Sequence, residues 1–175
     1  VVRHLGTTDG ISVAVNGKSG VESAANRYDT DWNMIWVTTY VTGGNTITLS
    51  AYSLSGSGLA NLIYSNTIEN LATAIGGICF DGMYLYQYVT DTNVSIPDRV
   101  DKFLIDGSTV NLVASFPMVG TFRDMTFDGK YFWMTDSTNA VFQFDENFNQ
   151  LFTFAGPTGA WGITNDDNYL YITGT

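Results

Sequence analysis

The sequence predicts an all-β fold assembled from a repeated unit, and three observations lead to this prediction. One phrase returns four times, each time with an aspartate, a large apolar residue four positions later and an aromatic residue five positions later. The polar positions are dominated by Asp, Asn, Gly, Ser and Thr, which favour turns and strand edges over helices. Aromatic residues make up 14% of the 175 residues, which is typical of packed strands.

The repeated phrase reads RYDTDWNMIW, GICFDGMYLY, DMTFDGKYFW and GITNDDNYLY, and its shared aspartates are Asp31, Asp81, Asp128 and Asp166. These aspartates stand 50, 47 and 38 residues apart. Periods of this length are typical of proteins whose units are too small to bury a core alone. We therefore expect the units to pack against one another in an array.

Each unit is predicted to contain four short antiparallel strands. In the third copy, strands are expected over 125–127, 131–134, 141–144 and 151–154, separated by turns that contain Gly, Asn or Asp. The residues four and five positions after the aspartate face opposite sides of the sheet, so both faces must be covered. We expect the aromatic residues at the second of these positions to be equivalent and buried: Trp36, Tyr86, Trp133 and Tyr171.

A stack of such sheets closed around an axis is a β-propeller, and we predict four blades, near 26–75, 76–121, 122–160 and 161–175. The fourth blade has room for two strands only, so residues 1–15 are expected to close it with two more. Two alternatives stay open: a fragment of a longer propeller, and an open half that closes with a second copy. A β-sandwich would have no reason to repeat one strand phrase four times.

The phrase resembles the NHL-type and related six-bladed propeller repeats, which read roughly G-[IV]-x-x-D-x-x-G-x-[IL]-[YW]-[VI]-[TA]-D before a strand ending in F-D. The match is carried by residues 124–136 and 141–145, followed by 162–173 and 77–86. The resemblance implies a propeller fold. Because many propellers with unrelated functions share this motif, it implies no active site.

Charge and composition exclude several kinds of partner. Seventeen Asp and Glu against seven Lys and Arg give a net charge of −10, so we expect neither nucleic acid nor an anionic membrane surface. No apolar run is long enough to span a membrane. Cys79 is the only cysteine, which excludes an internal disulfide, and it is predicted to be buried. The lysine-poor, Thr/Ser/Asn-rich composition favours an extracellular, virion or cell-surface setting.

No catalytic residue, metal site or cofactor is predicted. His4 is the only histidine, so a Ser-His-Asp arrangement or a histidine metal site would have to use it, and it lies in a predicted outer strand. The recurring aspartates stand at turns, and residues that recur in every unit are expected to be structural. No calcium-loop or nucleotide-binding spacing occurs.

The first candidate site lies where the inner strands begin at the central channel. Four residues there break a pattern of small side chains and are predicted to line the channel: Arg27, Arg123, Asp124 and Trp161. An Arg–Asp pair that fills the channel and a ligand site are the two interpretations of this cluster.

The second candidate site is an insertion in the second repeat, which is nine residues longer than the third. Insertions in repeat proteins map to loops on one face, often the binding face. The binding-loop candidates are Thr90, Asp91, Asn93, Asp98 and Arg99. Asn93 also begins the only N-x-[ST] sequon and is the glycosylation candidate.

These observations favour a non-catalytic extracellular propeller module, for binding or as a scaffold. Its expected partner is a protein or carbohydrate surface, or further copies of the chain in a surface fibre or virion. One alternative is a propeller-type lyase or hydrolase acting at the channel, where Asp124 is the only non-repeating His, Glu or Asp on the predicted inner strands. Another is a carbohydrate-binding lectin that uses Trp161 or Trp32.

Overall fold

The computed structural model of the chain describes residues 23–24, 34–40, 46–54, 60–69, 74–90, 97–106, 109–166 and 168–174. These residues contain fourteen strands and no helix, so the predicted all-β class is confirmed for them. It follows that this part of the chain has no helix long and apolar enough to cross a membrane. Several residues discussed above lie outside the described residues: residues 1–15 with His4, Arg27, Trp32, Asp91 and Asn93.

The strands form four antiparallel sheets in chain order. The first sheet contains β1 (Ser23–Ala24), β2 (Met34–Tyr40), β3 (Thr46–Leu54) and β4 (Ala60–Glu69). The second contains β5 (Ala74–Phe80), β6 (Tyr84–Thr90), β7 (Arg99–Asp106) and β8 (Thr109–Pro117). The third contains β9 (Phe122–Phe127), β10 (Phe132–Asp136), β11 (Ala140–Phe144) and β12 (Gln150–Ala155), and the fourth contains β13 (Gly162–Asn165) and β14 (Leu170–Thr173).

The sheets pack side by side through their first strands. β1 contacts β5, β5 contacts β9, and β9 contacts β13, while the last strand of each complete sheet lies at an outer edge. This is the arrangement of neighbouring propeller blades. The described strands form an open series, and closure into a four-bladed ring stays a prediction.

The hydrophobic core confirms that the second sheet is covered on both faces. Leu85 packs toward the first sheet in a cluster with Leu49 and Phe103. The next residue, Tyr86, packs toward the third sheet, where its ring lies 4.6 Å from that of Phe132. Neighbouring residues on one strand therefore belong to two different interfaces, as the apolar–aromatic pair in the repeat predicted.

The predicted equal burial of the four aromatic residues is wrong. Tyr86 is 3% exposed, Trp133 is half-buried and Tyr171 is 41% exposed. Tyr86 is covered by the following sheet, whereas the fourth sheet has no further described sheet over Tyr171. Trp36 lies in β2, but its side chain is outside the described residues.

The two ends of the sheets differ in the kind of connection they carry. At one end β9 begins beside the end of β10, with Phe122 opposite Asp136, and we call this end the loop face. The loop face contains the end of β6 at Thr90, the start of β7 at Arg99, and the connections 117–121, 136–140 and 155–161. The opposite end, with Phe127 beside Phe132, is the turn face, which contains the Asp81, Asp128 and Asp166 turns. The described members of both candidate sets lie at or near the loop face.

Candidate functional site

The repeated aspartate ties its own turn together, as Asp128 illustrates. Its Oδ1 accepts the backbone N–H groups of Lys130 at 2.8 Å and Tyr131 at 2.7 Å. Its Oδ2 accepts the indole N–H of Trp133 at 2.6 Å. One carboxylate therefore closes the turn and orients the aromatic residue five positions later.

The same pairing recurs in two more copies. The hydroxyls of Tyr86 and Tyr171 donate to Oδ2 of Asp81 and Asp166, each at 2.7 Å. Burial is the main cause that raises the pKa of Tyr86, and the hydrogen bond to Asp81 raises it further. For Tyr171, the hydrogen bond to Asp166 is the main cause that raises the pKa. Both hydroxyls therefore stay protonated as donors. These contacts support the interpretation that the recurring aspartates are structural.

Three first strands meet at Asp124. Its Oδ1 accepts the backbone N–H of Met125 and its Oδ2 that of Ile163 in β13, each at 2.9 Å. Gly77 of β5 lies against them so closely that a Cβ there would stand 2.2 Å from the Met125 nitrogen and 2.4 Å from Asp124 Oδ1. We call Gly77, Asp124, Met125 and Ile163 the hub.

The hub limits what Asp124 can do chemically. A general acid or base exchanges its proton with a bound substrate, which requires an oxygen within hydrogen-bond reach of that substrate. Asp124 Oδ1 accepts the N–H of the next residue in its own strand, and Oδ2 accepts an N–H of β13, which joins β9 to the fourth sheet. Within the described part of the chain, no group of three or more His, Cys, Asp or Glu side chains could hold a metal ion. The hub brings the first strands of three sheets together through the Ile163–Asp124 hydrogen bond and the close approach of Gly77.

Arg123 and Trp161 form a stacked pair on the loop face, which we call the guanidinium–indole pair. The Arg123 Cζ lies 3.8 Å from the centroid of the Trp161 ring, and Nη1 donates to the Ala160 carbonyl at 3.3 Å. The backbone N–H of Trp161 donates to the Thr173 carbonyl at 3.0 Å, and the backbone carbonyl of Trp161 accepts the Thr135 hydroxyl at 3.3 Å. The indole is nevertheless 61% exposed. The exposed indole of Trp161 is thus attached to a backbone that two hydrogen bonds hold in place.

The structure brings three of the four channel candidates together where β9 meets β13. Asp124 reaches the fourth sheet through Ile163, and Arg123 reaches it through Trp161. Each of these two side chains therefore has partners of its own on the neighbouring sheet. Arg27 lies outside the described residues, so its pairing with an aspartate stays a prediction.

The described residues of the insertion are tied to the second sheet. Thr90 ends β6. Oδ2 of Asp98 accepts the Tyr88 hydroxyl at 2.9 Å. Arg99 forms an ion pair with the buried Asp101, with Nε 3.0 Å from Oδ1. These contacts anchor the base of the insertion.

Tyr88 is a buried anchor that the sequence interpretation passed over. Its hydroxyl lies 2.9 Å from Asp98 Oδ2 and 3.0 Å from the Gly120 carbonyl, and it accepts the Phe122 N–H at 3.1 Å. Burial raises its pKa, so the hydroxyl remains a donor. The signal was present, since Tyr88 occupies the position where the other copies have threonine.

Gln87 is the second residue that was missed. It is 1% exposed, and its Nε2 donates to the carbonyls of Gly76 at 2.8 Å and Gly77 at 3.1 Å, where β5 bulges. Its Oε1 is the one buried side-chain polar atom of the described residues without a hydrogen-bond partner. Gln87 thus holds the backbone of Gly76 and of the hub residue Gly77 in place. Its signal is an amide where the other copies have the apolar residues Val37, Met134 and Ile172.

The comparisons with known proteins identify the fold and no family. No family model and no curated protein sequence matches the chain. Glutaminyl cyclase from Myxococcus xanthus is similar in structure, with a TM-score of 0.65 and 11% identity over 89% of this chain and 62% of that one. A gluconolactonase from Xanthomonas campestris gives a TM-score of 0.57 and 18% identity over 81% and 50% of the two chains. A Bacteroides uniformis protein described as a 6-phosphogluconolactonase gives a TM-score of 0.54 and 19% identity over 83% of this chain and 48% of that one.

These likenesses define the class of fold. The similar structures have folds of the β-propeller type, and the four packed sheets of this chain belong to that class. Identities between 11% and 19% carry the fold alone. The chain spans about half to three-fifths of the length of these structures, from 48% to 62%.

Proposed function

We propose that this chain is a non-catalytic ligand-binding module of the β-propeller type and that its loop face is the binding surface. The guanidinium–indole pair carries this proposal. An indole that is 61% exposed contributes little to the core, yet its backbone is fixed by Thr173 and Thr135. Rigid aromatic and arginine side chains are what binding surfaces concentrate at their centres.

The main competing candidate is an enzyme that works at the channel. Its support is that similar structures are named as a glutaminyl cyclase and a gluconolactonase. Against it stands the hub, where Asp124 uses both oxygens to hold backbone N–H groups. A catalytic role for Asp124 would have to share these oxygens with the backbone contacts. The binding function therefore has the better physical support in the described residues.

The test of the proposed function combines binding and turnover. Purified protein is titrated, with calorimetry as the readout, against neutral oligosaccharides, acidic oligosaccharides and short peptides, and is assayed on lactones and N-terminal glutaminyl peptides. We expect binding by at least one member of the panel and no turnover. Trp161→Ala should abolish the binding and leave the thermal midpoint unchanged.

Tyr169→Ala is the matched control for Trp161→Ala. Tyr169 is exposed to a similar degree, 67%, but it lies on the turn face. We expect Tyr169→Ala to bind as the unchanged protein does. Turnover of a lactone or glutaminyl peptide that disappears in Asp124→Asn with stability intact would replace this proposal by the enzymatic one.

We also propose that residues 1–15 pair with the outer edge of β14, either in the same chain, which closes the ring, or in a neighbouring copy. Support comes from the period-2 alternation of residues 11–15 and from β14, which pairs only with β13 among the described strands. Deletion of residues 1–15 should speed hydrogen exchange in β14 and leave exchange in β11 unchanged. Unaltered exchange in β14 would refute the pairing.

Electron microscopy of the full chain separates the two forms of this pairing. Single discs would indicate closure within one chain, and filaments would indicate strand exchange between copies. Filaments would also support the proposed role as a subunit of an extracellular fibre or virion.

A further inference from the structure

The acidic residues of the described part of the chain are divided between the two ends of the sheets. Six acidic residues lie at the turn face: Asp81, Asp106, Asp128, Asp145, Glu146 and Asp166. In the third sheet the two faces are separated by strands of five to six residues, about 17–20 Å long. This distance exceeds the Debye length of roughly 8 Å at physiological salt. Repulsion from the turn face is therefore largely screened at the loop face, despite the net charge of −10.

The carboxylates nearest the loop face are occupied by internal contacts. Asp136 accepts the backbone N–H groups of Thr138 and Ala140, each at 2.8 Å, and the Thr138 hydroxyl at 2.7 Å. Asp124 is held in the hub, Asp98 accepts the Tyr88 hydroxyl, and Asp101 is paired with an arginine. These carboxylates are therefore engaged with groups of the protein itself.

The guanidinium of Arg123 is preorganised to bind an anion at the guanidinium–indole pair. A guanidinium has five N–H donors in a planar fork, and the bond to the Ala160 carbonyl involves Nη1. Stacking on Trp161 fixes the plane of the fork before any ligand arrives. A fixed fork recognises a carboxylate through two parallel N–H···O bonds.

The remaining surface of this region is suited to a sugar. The exposed indole of Trp161 provides a flat apolar surface against which the C–H groups of a pyranose ring can pack. Exposed, uncharged hydroxyl side chains lie on the connections of the same face: Thr121, Ser137, Thr138 and Thr158. Such groups exchange hydrogen bonds with sugar hydroxyls.

We propose that the guanidinium–indole pair is a subsite for an acidic sugar, with Arg123 binding the carboxylate of a uronic acid and Trp161 contacting its ring. This inference rests on the proposed function and specifies its ligand. It requires a preference for a carboxylate-bearing sugar over the neutral sugar of the same shape.

The experiment compares a galacturonic acid trimer with the galactose trimer of the same linkage by calorimetry. We expect the acidic trimer to bind at least about tenfold more tightly, as a charge-assisted bidentate contact allows. Arg123→Gln should reduce the two affinities to the same value, and Arg123→Lys should restore only part of the preference. A thermal melt of each variant checks that the fold is retained.

Lys130→Gln is the matched control for Arg123→Gln. It removes one positive charge that also lies over an aromatic ring, that of Tyr131 at 4.7 Å, but on the turn face. We expect it to leave the preference for the acidic trimer unchanged. A preference that falls equally in both variants would show a general charge effect and overturn the subsite.

Further outcomes separate this inference from the proposed function. Equal affinity for the two trimers, with both lost in Trp161→Ala, would overturn the carboxylate subsite and keep the loop face as the binding surface. Tighter binding of an acidic peptide than of the acidic trimer would overturn the sugar assignment. Failure of every ligand in the wider panel would overturn the proposed function itself.

Discussion

Phe132→Ala should lower the free energy of unfolding by about 3–5 kcal/mol, the range for large aromatic truncations in cores. Phe132 is fully buried between the second and third sheets. Its ring lies 4.6 Å from those of Tyr86 and Phe148 and 4.8 Å from that of Phe127. The alanine variant leaves a cavity among aromatic rings that are held by their own strands. Urea denaturation of the two proteins measures the loss.

Phe152→Ala is the control for that result. It removes the same side chain from β12, where Phe152 is 55% exposed. Surface substitutions of this kind change stability by roughly 0.5 kcal/mol or less. If the two variants lost stability equally, the interface between the second and third sheets would not be the core of the protein.

The positions of the strands were predictable because short-range sequence patterns specify them. The third copy has strands at 122–127, 132–136, 140–144 and 150–155, within a few residues of each predicted position. Turn residues and alternating apolar residues act over a few positions, so a single sequence carries their signal. Cys79 is buried for the same reason, since it lies in an apolar run of a central sheet.

The exposure of Tyr171 was not predictable from its position in the repeat. The repeat makes Tyr171 equivalent to Tyr86, and the hydrogen bond to the turn aspartate is indeed shared. Burial, however, depends on the sheet that follows, which lies elsewhere in the chain. Local pattern specifies a contact within one unit, and only the packing of units decides how much water reaches it.

The candidate site was partly predictable. Asp124 and Arg123 were identified because they depart from the repeat, and the structure places both where β9 meets β13. Their partners could not be derived, since a backbone N–H such as that of Ile163 is invisible in a pattern of side chains. The role of Gly77 likewise depends on how closely two strands approach each other.

Gly77→Ala should cost about 2–3 kcal/mol, the upper part of the range for overpacked cores. The added methyl group meets the Met125 nitrogen at 2.2 Å, and a backbone atom cannot rotate away as a side chain can. The first strands of the second and third sheets must therefore move apart. This movement should weaken the hydrogen bond from Ile163 to Asp124 and speed exchange of the Ile163 amide.

Gly129→Ala separates this close approach from ordinary backbone strain. Gly129 has a φ of 98° and no atom within 4 Å of the position of an added Cβ, so alanine there meets only left-handed strain of about 1 kcal/mol. We expect exchange of the Ile163 amide to be unchanged in Gly129→Ala and accelerated in Gly77→Ala. Equal destabilisation of the two variants, with Ile163 unaffected in both, would contradict the hub as the contact that joins the three sheets. Accelerated exchange confined to Gly77→Ala would instead locate the coupling between sheets at the close approach of β5 to β9, because Gly77 makes that approach and Gly129 does not.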